Sequence, residues 1–280
     1  MAVLSIHSHV AAGHVGNAAA VFTLQRLGVE VWPVHTVELS HHPGHGSWRG
    51  HRVAPAHVEE ILSGLETRGL FTDCAAVLTG YLGSAAMGAV AVDAWRRILT
   101  ASPQALICCD PIIGDDAEGQ YVDDDLVAFY RRDALPAAHV LFPNRFELEV
   151  LSATPVSDTT SAIAAARALL IGRPEMILIS SIPGNGGLGT VLVTAGGAWG
   201  AAAPKVPLRA KGAGDFFAAL WIGHFVQTGD PVAALQTAVS ALQVTIEAAS
   251  EMDAAELPII ATQDAWLAPP NLIDVETLDQ

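Results

Sequence analysis

The sequence predicts an α/β fold: a central, mostly parallel sheet with helices on both faces. Three observations carry that reading. Residues 2–6, 13–27 and 29–34 run strand, helix, strand, and such a βαβ unit joins parallel strands. Short apolar runs then alternate with longer helical stretches along the chain. Finally, the turn Gly212-Ala213-Gly214-Asp215 opens onto a run to Val226 that is apolar on every side and so belongs inside.

Each element follows from local signals. Residues 2–6 read as a buried strand with His7-Ser8-His9 at its carboxyl end. Ligands of parallel sheets gather at that end, so Ser8 stands where a substrate would be; taken alone, it reads as a turn or capping serine. A helix over 13–27 closes at Gly28, and a second strand covers 29–34. Residues 35–52, rich in Gly and His, read as a small flap or β-ribbon. The flap histidines (His35, His41, His42, His45, His51) are irregularly spaced, with no carboxylate or cysteine completing a standard metal set. Solvated or substrate-facing roles are expected for them.

A helix over 55–68 ends at Gly69, and strand 75–79 leads into Gly80-Tyr81-Leu82-Gly83. Ser84 caps a helix over 84–99. Strand 105–109 ends in Asp110-Pro111, followed by a loop over 112–122 with Asp115, Asp116 and Glu118. Aspartates 123–125 suit the start of a helix over 123–132. After strand 139–142, Asn144 caps the helix that carries Glu147. A helix over 157–171, a strand over 176–181, a flexible loop over 183–187 and a hairpin of 188–194 with 198–203 follow. Beyond the apolar helix, Asp230-Pro231 opens another over 230–249, and the tail from Pro258 is weakly patterned. Without repeats or linkers, a single domain over 1–280 is expected, with its flap at 35–52.

Composition excludes several functions. The net charge is −15, with 14 Lys+Arg against 29 Asp+Glu, so no basic stripe is available for nucleic acid. Any phosphate must be held by local devices: backbone N–H groups, a metal or a placed cation. No apolar run of membrane-spanning length is expected, and the start MAVLSIHSHV lacks a signal pattern. Cys74, Cys108 and Cys109 form no disulfide framework, which suits a cytoplasmic protein.

The turn at residues 212–215 is the chemical centre. Glycines leave backbone N–H groups uncovered, and a helix start adds unpaired donors and a positive dipole end. Together these cradle an anion. Asp215 either caps the helix or stands at the rim of the cradle, in reach of an attacking hydroxyl. Asp110 and Glu147 also fall just past strand ends, on the same edge of a parallel sheet. Carboxylates gathered beside a phosphate site commonly hold Mg²⁺.

These residues resemble a known family. The stretches Leu4-Ser-Ile-His-Ser-His-Val, Gly13-His14-Val15-Gly16-Asn17, Leu27-Gly28, Trp32-Pro33, Thr36-Val37, Ser40 and Trp48-x-Gly50 are similar to pyridoxal kinases, vitamin B6 salvage kinases of the ribokinase-like superfamily. Thr79-Gly80-Tyr81, Cys109-Asp110-Pro111 with Gly114-Asp115, Pro143-Asn144 with Glu147, and Gly212 to Asp215 extend the likeness over nearly the whole chain. The resemblance implies a ribokinase-like fold and ATP-dependent phosphorylation of the 5′-hydroxymethyl group of pyridoxal. It makes Asp215 the base and the Gly212, Ala213 and Gly214 amides the anion hole. Ser8 would bond the pyridine ring and Tyr81 would pack over it, with Pro43 and Gly44 of the flap nearby. Asp110, Asp115 and Ser180 would lie by the nucleotide, with Asp110 and Glu147 serving Mg²⁺. A monovalent cation and a homodimer with each site inside one subunit are further implications. Three positions depart from the family: Pro43 replaces a common threonine, Phe142 a small residue or threonine, and Ser180 a lysine or polar residue. A hydroxymethylpyrimidine kinase of the same superfamily and a non-catalytic B6-binding protein are the rival readings.

Overall fold

A computed structural model describes residues 1–170, 172–184 and 187–279. The expected loop over 183–187 and the expected helix end at 171 lie partly outside these residues.

The chain opens with β1 (Ala2–Val10), α1 (Asn17–Arg26), β2 (Glu30–Leu39), the short β3 (Gly50–Arg52) and α2 (Pro55–Thr67). Next come β4 (Cys74–Thr79), α3 (Ala85–Ala101), β5 (Leu106–Cys109) and a small hairpin of β6 (Gly114–Asp115) and β7 (Gly119–Gln120). Then follow α4 (Asp124–Phe129), β8 (Val140–Leu141), α5 (Arg145–Ser152), α6 (Thr159–Leu169), β9 (Met176–Gly184), β10 (Gly187–Thr194) and β11 (Gly197–Pro204). The chain closes with α7 (Ala213–Thr228), α8 (Pro231–Glu251), α9 (Gln263–Leu267) and β12 (Val275–Asp279). The main sheet runs β12-β11-β10-β9-β8-β5-β4-β1-β2-β3. From β2 to β9 all pairings are parallel. The pairings of β10, β11 and β12, and of β3 with β2, are antiparallel.

Alternation along the strands divides the core. Leu4, Ile6, Val77, Ile107 and Ile177 face α2 to α6, packing with Val58, Leu62, Trp95 and Leu148. Val3, Leu78, Cys108 and Leu178 face α1, α7 and α8, packing with Leu24, Phe216, Trp221 and Leu235. Phe142 belongs to this second face, edge-on to Phe217 and Trp221, so it fills core volume.

Several element boundaries differ from expectation. The first helix starts at Asn17, not at residue 13, because Gly13 and Gly16 take positive φ and keep 13–16 as a loop. The flap is an extension of the sheet: β2 runs on to Leu39 and pairs with β3. The loop over 112–122 contains the β6–β7 hairpin, and the helix expected over 123–132 widens into a π turn at Tyr130–Ala134. The tail adds α9 and the edge strand β12, whose ladder partner β11 decides its conformation. One expectation about apolar runs fails. Among the described residues α8 is long and apolar enough to cross a membrane by length and composition. Half of that window is buried in the fold, where α8 packs on α7 and the sheet.

Candidate active site

The carboxyl ends of β1, β4 and β5 and the start of α7 meet at one place. α7 begins after Gly212, which takes φ 94° as its N-cap. Asp215 is therefore in the first helical turn, not at the cap, and its carboxylate turns back toward β1. Oδ2 accepts the Gly16 N–H at 2.8 Å, and Oδ1 lies 3.0 Å from Nε2 of His7. Gly16 needs to be glycine: at φ 57° a Cβ there would come within 2.3 Å of Ser8 Oγ. Burial acts to raise the Asp215 carboxyl. The nearby His7 ring, the Gly16 amide and His42 together outweigh it, and hold the group below its ordinary value. Asp215 is thus ionised at neutral pH while only 12% exposed.

Asp110 stands next to this pair. It is 6% exposed, its Oδ2 lies 4.0 Å from where a Gly214 Cβ would be, and among the described residues its donor is the Ile112 N–H at 3.5 Å. Burial, then the charges of Glu147 and Asp215, push it well above the usual carboxylate range. Glu147 is 3% exposed and closes a capping box with Asn144. Oε2 accepts the Asn144 N–H at 2.9 Å, and Oε1 accepts from Ile113 and Gly114 at 2.8 and 3.4 Å. Burial still wins over those donors and raises Glu147 to about 7.

The remaining expected residues fall around this centre. Ser8 lies within β1, which runs past its expected end at residue 6 to Val10, and its Oγ is 3.2 Å from Nδ1 of His7. Tyr81 follows β4, where its carbonyl accepts the Thr36 hydroxyl at 2.5 Å. Asp115 is in the β6–β7 hairpin, where Oδ1 caps the Ala117 and Glu118 amides. Ser180 sits on β9 beside Asn144, its N–H donating to the Pro143 carbonyl at 3.0 Å. Pro43 and Gly44 form the exposed flap turn, and Gly44 lies over the Lys211 side chain.

Sequence reading gave no role in the site to four contributors: His7, Gly16, His42 and Glu256. His7 touches the Asp215 carboxylate directly. Gly16 anchors it. His42, not Pro43, is the flap side chain that feels Asp215 and Lys211: burial and Lys211 lower its affinity for a proton, and Asp215 opposes them. Of the two cations that the sequence offers beside the glycine turn, Lys211 pairs with Glu118 at 2.6 Å and Arg209 pairs with exposed Asp253. Glu256 ties the flap to the 13–16 loop, accepting the His14 N–H at 3.3 Å and lying 2.7 Å from Nε2 of His45. A histidine at a strand end was a usable signal for His7. Glu256 lies in a weakly patterned stretch and offered none.

The acids fit a divalent cation. Asp110 is buried and nearly free of donors, amid two further carboxylates. Among the described residues no group of three or more His, Cys, Asp or Glu could hold a metal by itself. Such a site suits Mg²⁺, which keeps several waters and takes phosphate oxygens. Both Glu147 oxygens are already spent on backbone N–H groups, so Asp110 is the better direct ligand, with Glu147 acting through water or field.

A buried, ionised aspartate at a glycine-flanked helix start, beside two buried acids whose proton affinity is raised, defines a phosphotransferase-type site. Comparison with known proteins agrees. A family-wide sequence profile described as phosphomethylpyrimidine kinase matches residues 21–259. A pyridoxal kinase of Rubrobacter xylanophilus is 42% identical over 273 residues, covering 96% of this chain and 94% of that protein. One from Deinococcus radiodurans is 41% identical over 288 residues, covering 99% and 96%. Pyridoxal kinase from Leishmania donovani, solved with ADP and pyridoxine, superposes with TM-score 0.92 at 32% identity, covering 99% of this chain and 98% of that one. The chain belongs to the phosphomethylpyrimidine kinase family, and within it to the pyridoxal kinases.

Proposed function

We propose that this chain transfers the γ-phosphoryl group of ATP to the 5′-hydroxymethyl group of pyridoxal and related B6 vitamers. The observation that carries the reading is the ionised Asp215 carboxylate held at the amide-lined start of α7. Asp215 takes the hydroxyl proton as the oxygen attacks phosphorus. The Gly212, Ala213 and Gly214 amides receive the developing charge, and Lys211 is the nearby cation free to leave its Glu118 partner for phosphate. Ser8 bonds the ring, Tyr81 stacks on it, and the flap turn at Pro43 and Gly44 covers it. Asp110, Asp115, Ser180 and the capping box of Glu147 border the nucleotide side. Asp110 would hold Mg²⁺ with Glu147 in support, and the ion would supply charge neutralisation on the phosphates; a monovalent cation is a further candidate. We read the assembly as a cytoplasmic homodimer of one-domain subunits, each with its own site.

The profile description favours one second reading, a hydroxymethylpyrimidine kinase. An ADP-release assay over pyridoxal, pyridoxine, pyridoxamine and hydroxymethylpyrimidine, with and without Mg²⁺, separates the two. Turnover of the pyrimidine alone would overturn the B6 assignment, and vitamer binding with no ADP release would make the chain a binding protein.

Protonation of Glu147 gives an independent check on the cation. Its folded value, about 7, lies above the ordinary 4.5, so the folded state holds the proton more tightly. The resulting stabilisation is complete below 4.5 and lost as pH rises through about 7. Metal-free protein is therefore expected to unfold at lower denaturant at about pH 8 than at about pH 5. The drop should shrink in Glu147→Gln, and Mg²⁺ should recover stability at the higher pH only. Equal Mg²⁺ stabilisation at both pH values would contradict this account.

A further inference from the structure

We infer that His7 is a positioning residue for the base: its Nε2–H holds Oδ1 of Asp215, fixing the carboxylate for proton abstraction. The inference rests on the reading of Asp215 as the base. His7 lies at the carboxyl end of β1, where the β1–β2 register shifts between His7 and His9. Such a bulge re-aims side chains. The ring is 1% exposed. Its Nδ1 accepts the Ser8 N–H at 2.8 Å, so the neutral ring carries its proton on Nε2. That atom is 3.0 Å from Asp215 Oδ1. Among the described residues buried Nε2 has no well-aligned hydrogen bond, and Asp215 Oδ1 at 3.0 Å is the acceptor it faces; catalytic hydrogen bonds are often poorly aligned before substrate binds.

Gly80 shows that the ring's place is built in. A Cβ at Gly80 would come within 2.0 Å of Nε2, and the Gly80 N–H is pinned to the Ile6 carbonyl at 3.1 Å. The strand end, the Ser8 amide and the bare Gly80 backbone thus leave the imidazole one orientation. With the Gly16 amide on Oδ2, the Asp215 carboxylate is gripped from two sides. Oδ1 and Oδ2 each keep a further electron pair to take the proton. A buried histidine whose function was only packing would need no such tautomer lock aimed at a carboxylate.

Substitution separates positioning from packing. His7→Phe keeps the ring but removes the N–H; His7→Gln keeps a donor near the Nε2 position. His7→Phe should lose roughly ten- to a hundred-fold in kcat, the size of a lost hydrogen bond to a charged group, with KM for ATP unchanged. His7→Gln should recover most of it. In an Asp215→Asn background, His7→Phe should cause no further loss, because both changes act through one carboxylate. If His7→Phe does not fold, His7→Asn replaces it, its shorter amide failing to reach Oδ1. Wild-type kcat in His7→Phe or His7→Asn, or an undiminished further loss in the Asp215→Asn background, overturns the role of His7. Full activity of Asp215→Asn alone overturns the base assignment instead.

Discussion

Asp215→Asn is expected to lower kcat about 10²–10⁴-fold while leaving ATP affinity intact. The substitution preserves shape, and an Asn oxygen can still accept the Gly16 N–H, now made at 2.8 Å. What disappears is the anionic electron pair that takes the hydroxyl proton. Burial works against the charged form here, and the His7 and Gly16 contacts overcome it, so the carboxylate stays ionised at neutral pH. A carboxyl held low is a weak base. That suffices, because a loose phosphoryl-transfer transition state asks little nucleophile deprotonation early on. Measuring ADP release beside an ATP titration decides the matter: turnover within a few-fold of wild type would remove Asp215 from the chemistry.

The fold was legible wherever its determinants are local. Ser84 and Asn144 announce their helices because a capping side chain reaches the N–H three residues on, as both do. Asp230 does likewise, two and three residues on. The Gly212 to Asp215 turn was legible for another local reason: glycine takes the positive φ with which Gly212 starts α7. Determinants set by distant partners were hidden. β12 is a strand because β11 offers it an edge, and α4 loses its regular register where Tyr130 becomes a fully buried core residue. In the site, the Gly16 amide meets Asp215 across 199 positions and the His14 amide meets Glu256 across 242. Asp110 and Glu147 could be placed on one edge by strand order alone. That Glu147 spends both oxygens on backbone amides could not be read without the geometry of the 112–114 turn.

Gly212→Ala is expected to damage the fold and the site together. At φ 94° an alanine pays left-handed strain of about 1–2 kcal/mol. Its Cβ would also stand 2.1 Å from the His14 carbonyl oxygen, which is backbone and cannot swing aside. The 13–16 loop and the start of α7 must then separate. That one displacement moves the anion-hole amides and draws the Gly16 N–H from the Asp215 carboxylate it holds. Loss of a single anion-hole donor typically costs about 10²–10³ in kcat, and here the base is disturbed as well. Gly229→Ala is the matched control. Gly229 caps the other end of α7 at φ 70°, with open space around the added methyl. It should lose about 1–2 kcal/mol of stability for the same backbone reason and keep its turnover. Denaturant unfolding and ADP release on both variants separate strain from chemistry. Equal turnover in the two would mean that the close approach of Gly212 to His14 has no part in assembling the site.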